Sequence, residues 1–285
     1  MMDFVTAAAL VFLTSGSPVS ASAAAPQEQQ ATQSTQPDQP APSDRAVNLA
    51  QPDFTIIGLP TTLKIPRFAS SFRVTHRFGR PLGQGDFGDL LSDAFGFDSG
   101  AQIGLEYRFG IIAGTQIGIH RTSDRTIQFF AQHHLVGEDR SPVGIDVIAT
   151  AEGTNNFRDT YSPAIGAVIS RTLGRHGALY AHPIWINNTN PDPQELVDDN
   201  STTILGLGAR LRMRPTVYLV GEIAPRIGYE PDHVYASLGI EKRAGGHSFQ
   251  LNFSNGIGTT LAQIARGGLG DETWFIGFNI SRKFF

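Results

Sequence analysis

Cysteine is absent from this 285-residue chain, and lysine is confined to Lys64, Lys242 and Lys283. The lack of cysteine excludes disulfides, thiol nucleophiles, Cys-ligated metals and the acylated N-terminal Cys of a lipoprotein anchor. Charge is scarce as well: 17% of residues are Asp, Glu, Lys or Arg, against roughly 25% in an average soluble domain. A net charge of −4 and a pI near 6.0 offer no basic surface, which argues against nucleic acid as a partner. The apolar run Phe4–Leu13 falls well short of the ~20 residues that a bilayer-spanning helix needs.

That run has the length of a signal-peptide core, and Ala21-Ser22-Ala23 or Ala23-Ala24-Ala25 would serve for cleavage, so residues 1–25 read as a signal peptide. Met1-Met2-Asp3 lacks the usual positive charge, so either the start lies upstream or the signal is atypical. Residues 26–58 are rich in Gln, Pro, Ala, Ser and Thr. Such a composition buries too little apolar surface to offset ordering entropy, so this stretch reads as a disordered periplasmic spacer. Within it, Val47 to Pro60 reads as a partly ordered lead-in.

From about Phe68 the dominant period is two, the period of a strand. Ala101, Ile103, Leu105, Tyr107 and Phe109 share one face, with Gln102, Gly104, Glu106 and Arg108 on the other. The same alternation recurs through Ile127–Leu135, Val143–Glu152, Leu205–Arg212, Ser248–Phe253 and Trp274–Ser281. There are about twelve such segments of roughly ten residues, the length that crosses a membrane when tilted. The connections alternate between long links, such as 80–99, 188–201 and 256–271, and tight ones, such as Leu173-Gly174-Arg175 and Met213-Arg214-Pro215. Two links on the long side, Thr122 to Asp124 and Tyr229 to Asp232, are short.

A soluble sandwich also alternates, but its outer face is richly charged. Here the second face is Gly, Ser, Thr, Asn and Gln with scattered charge. Residues 59–285 therefore read as an all-β, antiparallel, up-and-down transmembrane barrel of about twelve strands, within a range of roughly 10–14. Glu106, Arg108, Asp146, Glu152, Arg210, Arg212, Glu222, Arg226 and Glu241 are the candidate lumen-lining residues.

Several ordered motifs carry a family resemblance. They are His76-Arg77-Phe78-Gly79, Phe95-Gly96-Phe97-Asp98-Ser99-Gly100-Ala101, Gly245-Gly246-His247-Ser248-Phe249-Gln250-Leu251, and Gly277-Phe278-Asn279-Ile280-Ser281-Arg282-Lys283-Phe284. From about Pro60 to its end the chain resembles a bacterial barrel family catalogued as domain of unknown function 5777. The resemblance implies a β-barrel in the outer membrane and supplies no activity. Outer-membrane barrels usually end on a Phe with apolar residues two apart behind it. Counting back from Phe285 meets Lys283 and Ser281, whereas counting from Phe284 meets Arg282 and then Ile280, Phe278 and Ile276. Phe284 is thus the residue in register.

Enzymatic chemistry finds little support. His247 and Ser248 are adjacent and so point to opposite faces of a strand, as do His133 and His134. Cross-strand clusters involving His120, His134, His182 or His233 are not visible in sequence. The glycine-rich 83–88 and 267–270 lack the Lys and the βαβ setting of phosphate loops. The acidic 192–199 lacks the Gly turn and closing Glu of an EF-hand. No catalytic residue, metal site or cofactor is expected. Asp89–Phe95 and Thr259–Ala265 carry apolar residues at helical spacing inside long links, where short helices would cover or enter the lumen.

The reading is a bacterial outer-membrane barrel acting as a passive channel or uptake pore for small solutes, with selectivity set by lumen charge. A closed structural or ligand-binding barrel and a membrane-embedded hydrolase are the alternatives. Outer-membrane lipid, small solutes and, through the C-terminal strand, the barrel-assembly machinery are the expected partners.

Overall fold

The computed structural model of the protein describes residues 48–96, 99–189, 200–228, 233–270 and 273–285. The signal segment, most of the spacer, the acidic 192–199 loop and the Tyr229–Asp232 link lie outside the described residues.

The strands are β1 (Ser70–Phe78), β2 (Ala101–Ile112), β3 (Thr115–Thr122), β4 (Ile127–Val136), β5 (Gly144–Gly153), β6 (Asp159–Thr172) and β7 (Gly177–Asn187). They continue with β8 (Ser201–Arg214), β9 (Val217–Ala224), β10 (Arg226–Gly228), β11 (Tyr235–Ala244), β12 (His247–Ser254) and β13 (Phe275–Phe284). Three short helices occupy the links: α1 (Phe87–Ser92), α2 (Thr154–Phe157) and α3 (Leu261–Ala265).

Consecutive strands pair antiparallel from β1 to β9 and from β11 to β13, β9 pairs with β11, and β1 pairs with β13, so the sheet closes. Both β9 and β10 pair with β8. They are two halves of one stave, separated at Pro225, whose missing N–H interrupts the ladder; the Pro225 carbonyl still accepts from the Leu205 N–H at 2.8 Å. The wall is therefore a closed antiparallel barrel of twelve staves. Closure leaves no unpaired edge, which is what strands need inside lipid.

The alternation sorts the side chains as expected. Leu105, Ile165 and Ile240 point outward with 47%, 56% and 57% of their surface uncovered by protein, while Arg77, His182 and Arg210 point inward at 0%. β13 ends at Phe284, which pairs with Ser70 and continues the outward row, and Phe285 lies beyond the strand. The tight turns gather at the end where β1 begins, and β-bulges at Gly110/Ile112, His134/Val136 and Arg212/Arg214 sit beside three of the links there. The opposite end carries the links with α1, α2 and α3.

One boundary differs from the sequence reading. Residues 48–58, assigned there to the spacer, are ordered inside the barrel: Ala50, Phe54, Ile56 and Ile57 are all buried. The sequence reading draws the spacer through this stretch, with only a partly ordered lead-in at Val47 to Pro60, because no core is visible in the segment itself. The wall supplies that core.

Candidate functional site

The interior of the barrel is two-faced. On β6–β9 the inward positions include Val168, Tyr180, Ile184, Ile204, Tyr218 and Val220, which form one buried apolar cluster. On β1–β3 and β11–β13 they carry charge and amide groups instead, among them Arg73, Glu106, Glu241, Gln250 and Asn279.

Residues 48–66 fill the space between these faces. The segment makes a narrow bend, with Thr55 bridged to Pro60 and the Ile56 N–H donating to the Leu59 carbonyl at 2.8 Å. Ile56 and Leu59 join the apolar cluster. Two inward glycines of β8 are their sockets: a Cβ on Gly208 would lie 2.2 Å from Ile56 Cδ1, and one on Gly206 would lie 2.9 Å from Leu59 Cδ1. Any larger residue there collides with the plug.

The plug backbone is held by polar side chains from both faces. Arg73 donates to the Thr55 hydroxyl at 2.8 Å and to the Ile57 carbonyl at 3.0 Å. Arg210 donates to the Thr55 carbonyl at 2.6 Å, Gln250 to that of Ile56 at 2.7 Å and Asn279 to that of Ile57 at 3.0 Å. His182 and Gln132 reach the carbonyls of Pro60 and Thr61 at 2.7 and 2.8 Å. Ser281 donates to Asp53 at 2.5 Å, and Lys283 to the Pro52 carbonyl. At the bend, the N–H groups of Ile57, Gly58 and Leu59 all point at Glu222, at 3.1, 2.8 and 3.0 Å. Such a concave run of backbone donors is suited to a carboxylate. These bonds supply the partners that a non-regular buried backbone requires.

From the other end α3 enters the lumen. All five of its residues are buried, and Ile264 touches the bend: a Cβ on Gly58 would lie 2.6 Å from Ile264 Cδ1. A cavity of about 20 Å³ remains between plug, α3 and the polar wall. That is room for about one water.

Wall charges also satisfy each other. Glu106 bridges Arg73 at 2.6 Å and Arg108 at 2.9 Å, and Arg210 meets Glu241 at 2.9 Å. Asp146 accepts from Gln132 at 2.6 Å and lies 2.7 Å from His134 Nδ1. Losing either partner of a buried pair would strand a charge, so these contacts fix geometry more than they add stability.

A family model described as a membrane bound beta barrel domain (DUF5777) matches residues 53–284. The chain belongs to this family. The DUF5777 match begins at Asp53, inside the plug, so the family unit includes the bend as well as the wall. No curated protein matches the sequence. Among solved structures the DUF5777 chain is similar to a Rhodopseudomonas blastica porin, at 11% identity and a TM-score of 0.34, covering 64% of this chain and 55% of that one. It thus spans little more than half of that porin's length. It is also similar to the Acinetobacter baumannii outer membrane protein Omp33, at 7% identity, TM-score 0.43 and coverages of 76% and 98%. Outer membrane phospholipase A from Escherichia coli follows at 10% identity, TM-score 0.40 and coverages of 84% and 97%.

Of the lumen residues expected from the DUF5777 sequence, Glu106, Arg108, Asp146, Glu152, Arg210, Glu222 and Glu241 are buried in the interior. Arg212 keeps the inward register, paired with the inward Tyr218, but is half-buried at the end of β8, where its guanidinium donates to the Pro215 carbonyl at 3.1 Å. Arg226 is half-buried on β10 at the opposite end, outside the plug's contacts. Arg73, Gln250 and Asn279 were not singled out, and His182 was named only for cross-strand clusters, yet each holds the plug. Their inward register positions were the available signal; what they bind was not visible. Among the described residues no three His, Asp or Glu side chains gather as a metal site.

Proposed function

We propose that this protein is a bacterial outer-membrane barrel that its own residues 48–66 keep closed at rest. The carrying observation is the occupied lumen: where the plug's bend meets α3 and the polar wall, the gap between them is about 20 Å³. Twelve staves lie near the size at which side chains and one inserted segment can fill the interior. In this reading the residues before 48 form a periplasmic spacer, the long links face outward, and β13 presents the C-terminal strand to the barrel-assembly machinery.

The passive-channel reading then applies to the barrel without its plug. One observation favours it: polar residues on β1, β4, β7, β8, β12 and β13 hold the plug through hydrogen bonds to its backbone carbonyls. Water can take over such bonds, and the vacated wall would be lined by charge suited to small polar solutes.

Planar-bilayer recording of the refolded full chain tests this directly. The full chain should carry no steady current, while Glu222→Ala and a chain lacking residues 48–66 should show openings. A steady ohmic current through the unmodified chain would overturn the closed reading. Silence in both altered chains, each still folded by heat-modifiable gel mobility, would remove the channel reading.

A further inference from the structure

The outward surface of the wall is not uniform. Most of it carries Leu, Ile or aromatic side chains, but β4 and β5 place Ala131, Ala149 and Ala151 side by side. Tyr107 and Phe129 stand on one flank of these alanines. Ile165 of β6, opposite Ala149, stands on the other. The result is a lipid-facing depression of about 740 Å³ with almost wholly apolar walls.

Its upper end is cationic. Arg121 takes the next outward position beyond Ile119 on β3, Arg125 lies in the β3–β4 link, and Arg158 follows α2. Arg121 donates to the Asn156 side chain at 3.0 Å, and the Asn156 N–H donates to the Arg125 carbonyl at 2.6 Å. The Phe157 ring packs edge-on against Phe129 with centroids 5.4 Å apart. The rim is therefore physically joined to the depression. Arg125 and Phe157 hold φ of 68° and 64°, a left-handed backbone that costs free energy and recurs at ligand clamps.

Charge is unevenly shared around this end of the barrel. Among the described residues its exposed basic side chains are Arg121, Arg125 and Arg158. No described ion pair includes any of the three. Two carboxylates share the rim and are already engaged. Asp124 accepts from Thr122, the Thr126 N–H and Gln263, and Asp159 accepts from Asn155.

We infer that this depression and its rim bind one phosphorylated, multiply acylated glycolipid of the outer leaflet. An acyl chain lies along the alanine floor, and the phosphates rest on the three guanidinium groups, whose planar donors match phosphate oxygens. Arginines on two separate links suit a headgroup with more than one phosphate better than a singly charged phospholipid. This inference rests on the outward orientation of the long links given above.

Native mass spectrometry of the full chain in detergent tests it, with a diphosphorylated hexa-acyl glucosamine disaccharide as probe and phosphatidylglycerol as comparison. One glycolipid should be retained per barrel, at least about tenfold more strongly than phosphatidylglycerol. Retention should fall by a similar factor in an Arg121→Gln, Arg125→Gln, Arg158→Gln triple variant. Ala149→Phe, which fills the floor and leaves the charge intact, should lower it too. Removing the exposed Arg140, Arg171 and Arg175 at the opposite end should change nothing. Equal retention by the triple variant, or equal retention of phosphatidylglycerol, would sink the inference, as would a lipid-free dimer closing over the depression. Orientation is read separately. The chain has no cysteine, so Arg125→Cys provides a single thiol that an impermeant maleimide should label on intact cells.

Discussion

Helices α1 and α3 begin with the same device and end in opposite environments. In α1, Asp86 accepts from the Asp89 N–H and Asp89 accepts from the Asp86 N–H, both at 3.0 Å. In α3, Thr260 and Gln263 exchange the equivalent pair at 3.3 Å. Both are capping boxes, which satisfy the orphan donors of a first turn. Yet α1 buries none of its residues and α3 buries all five. A helix start is written locally, within four residues. Where that helix goes depends on a partner, and α3 has one: the bend at Gly58, the apolar cluster of β6–β9, and a hydrogen bond from Gln263 to Asp124 at 2.9 Å.

The sharpest way to break the comparison is to place the same charge in each helix. Ile264→Asp would put a carboxylate among fully buried apolar side chains and should cost about 3 kcal/mol or more. Leu91→Asp, at a position 54% exposed, should stay within about 0.5 kcal/mol. Denaturant unfolding in detergent reads both, and equal losses would mean that α3 is not a lumen element.

A milder version removes the caps. Thr260→Ala should cost about 1 kcal/mol, the ordinary worth of an N-cap. Asp86→Ala, on a helix that buries none of its residues, should leave global unfolding unchanged and only loosen α1 locally. Hydrogen exchange over residues 87–92 and 261–265 separates the two outcomes.

The smallest effect is a pH dependence confined to α3. Partial burial raises the Asp124 carboxyl, but hydrogen bonds from Thr122 and the Thr126 backbone outweigh it and hold the group below its ordinary value. A depressed carboxylate contributes stability that is complete above the unfolded value, near ~3.9, and fades as pH falls through the lower folded one. Exchange protection of 261–265 should therefore be flat from neutral pH down to about 4 and weaken below it. Asp124→Asn should remove that dependence while keeping a carbonyl acceptor for Gln263.

Much of the wall was legible in the chain itself. Alternation at Ala101–Phe109 or Ser248–Phe253 sorts inside from outside because successive side chains of a strand face opposite ways. Helical spacing at Asp89–Phe95 and Thr259–Ala265 overlaps α1 and α3 without marking their starts, and period-two counting placed Phe284 rather than Phe285 in the outward row. The inward placement of Glu106, Arg210, Glu222 and Glu241 followed from the same periodicity, as did that of Arg212, which pairs with the inward Tyr218 just before the bulge.

The plug was not legible in the same way. Residues 48–66 have no strand or helix period, and the sequence divides them between spacer and barrel, with only a partly ordered lead-in at Val47 to Pro60. Their bonding partners lie up to 231 positions away in sequence, as Lys283 does from Pro52. Glu222 alone shows only an inward carboxylate; its three N–H donors come from 163 to 165 residues earlier. Sequence by itself therefore determined the barrel and its facing, since each depends on spacing within a few residues. Tertiary structure decided that the barrel is filled. Sockets such as Gly208 and carboxylates such as Glu222 acquire meaning only when chain closure brings a distant, featureless segment against them.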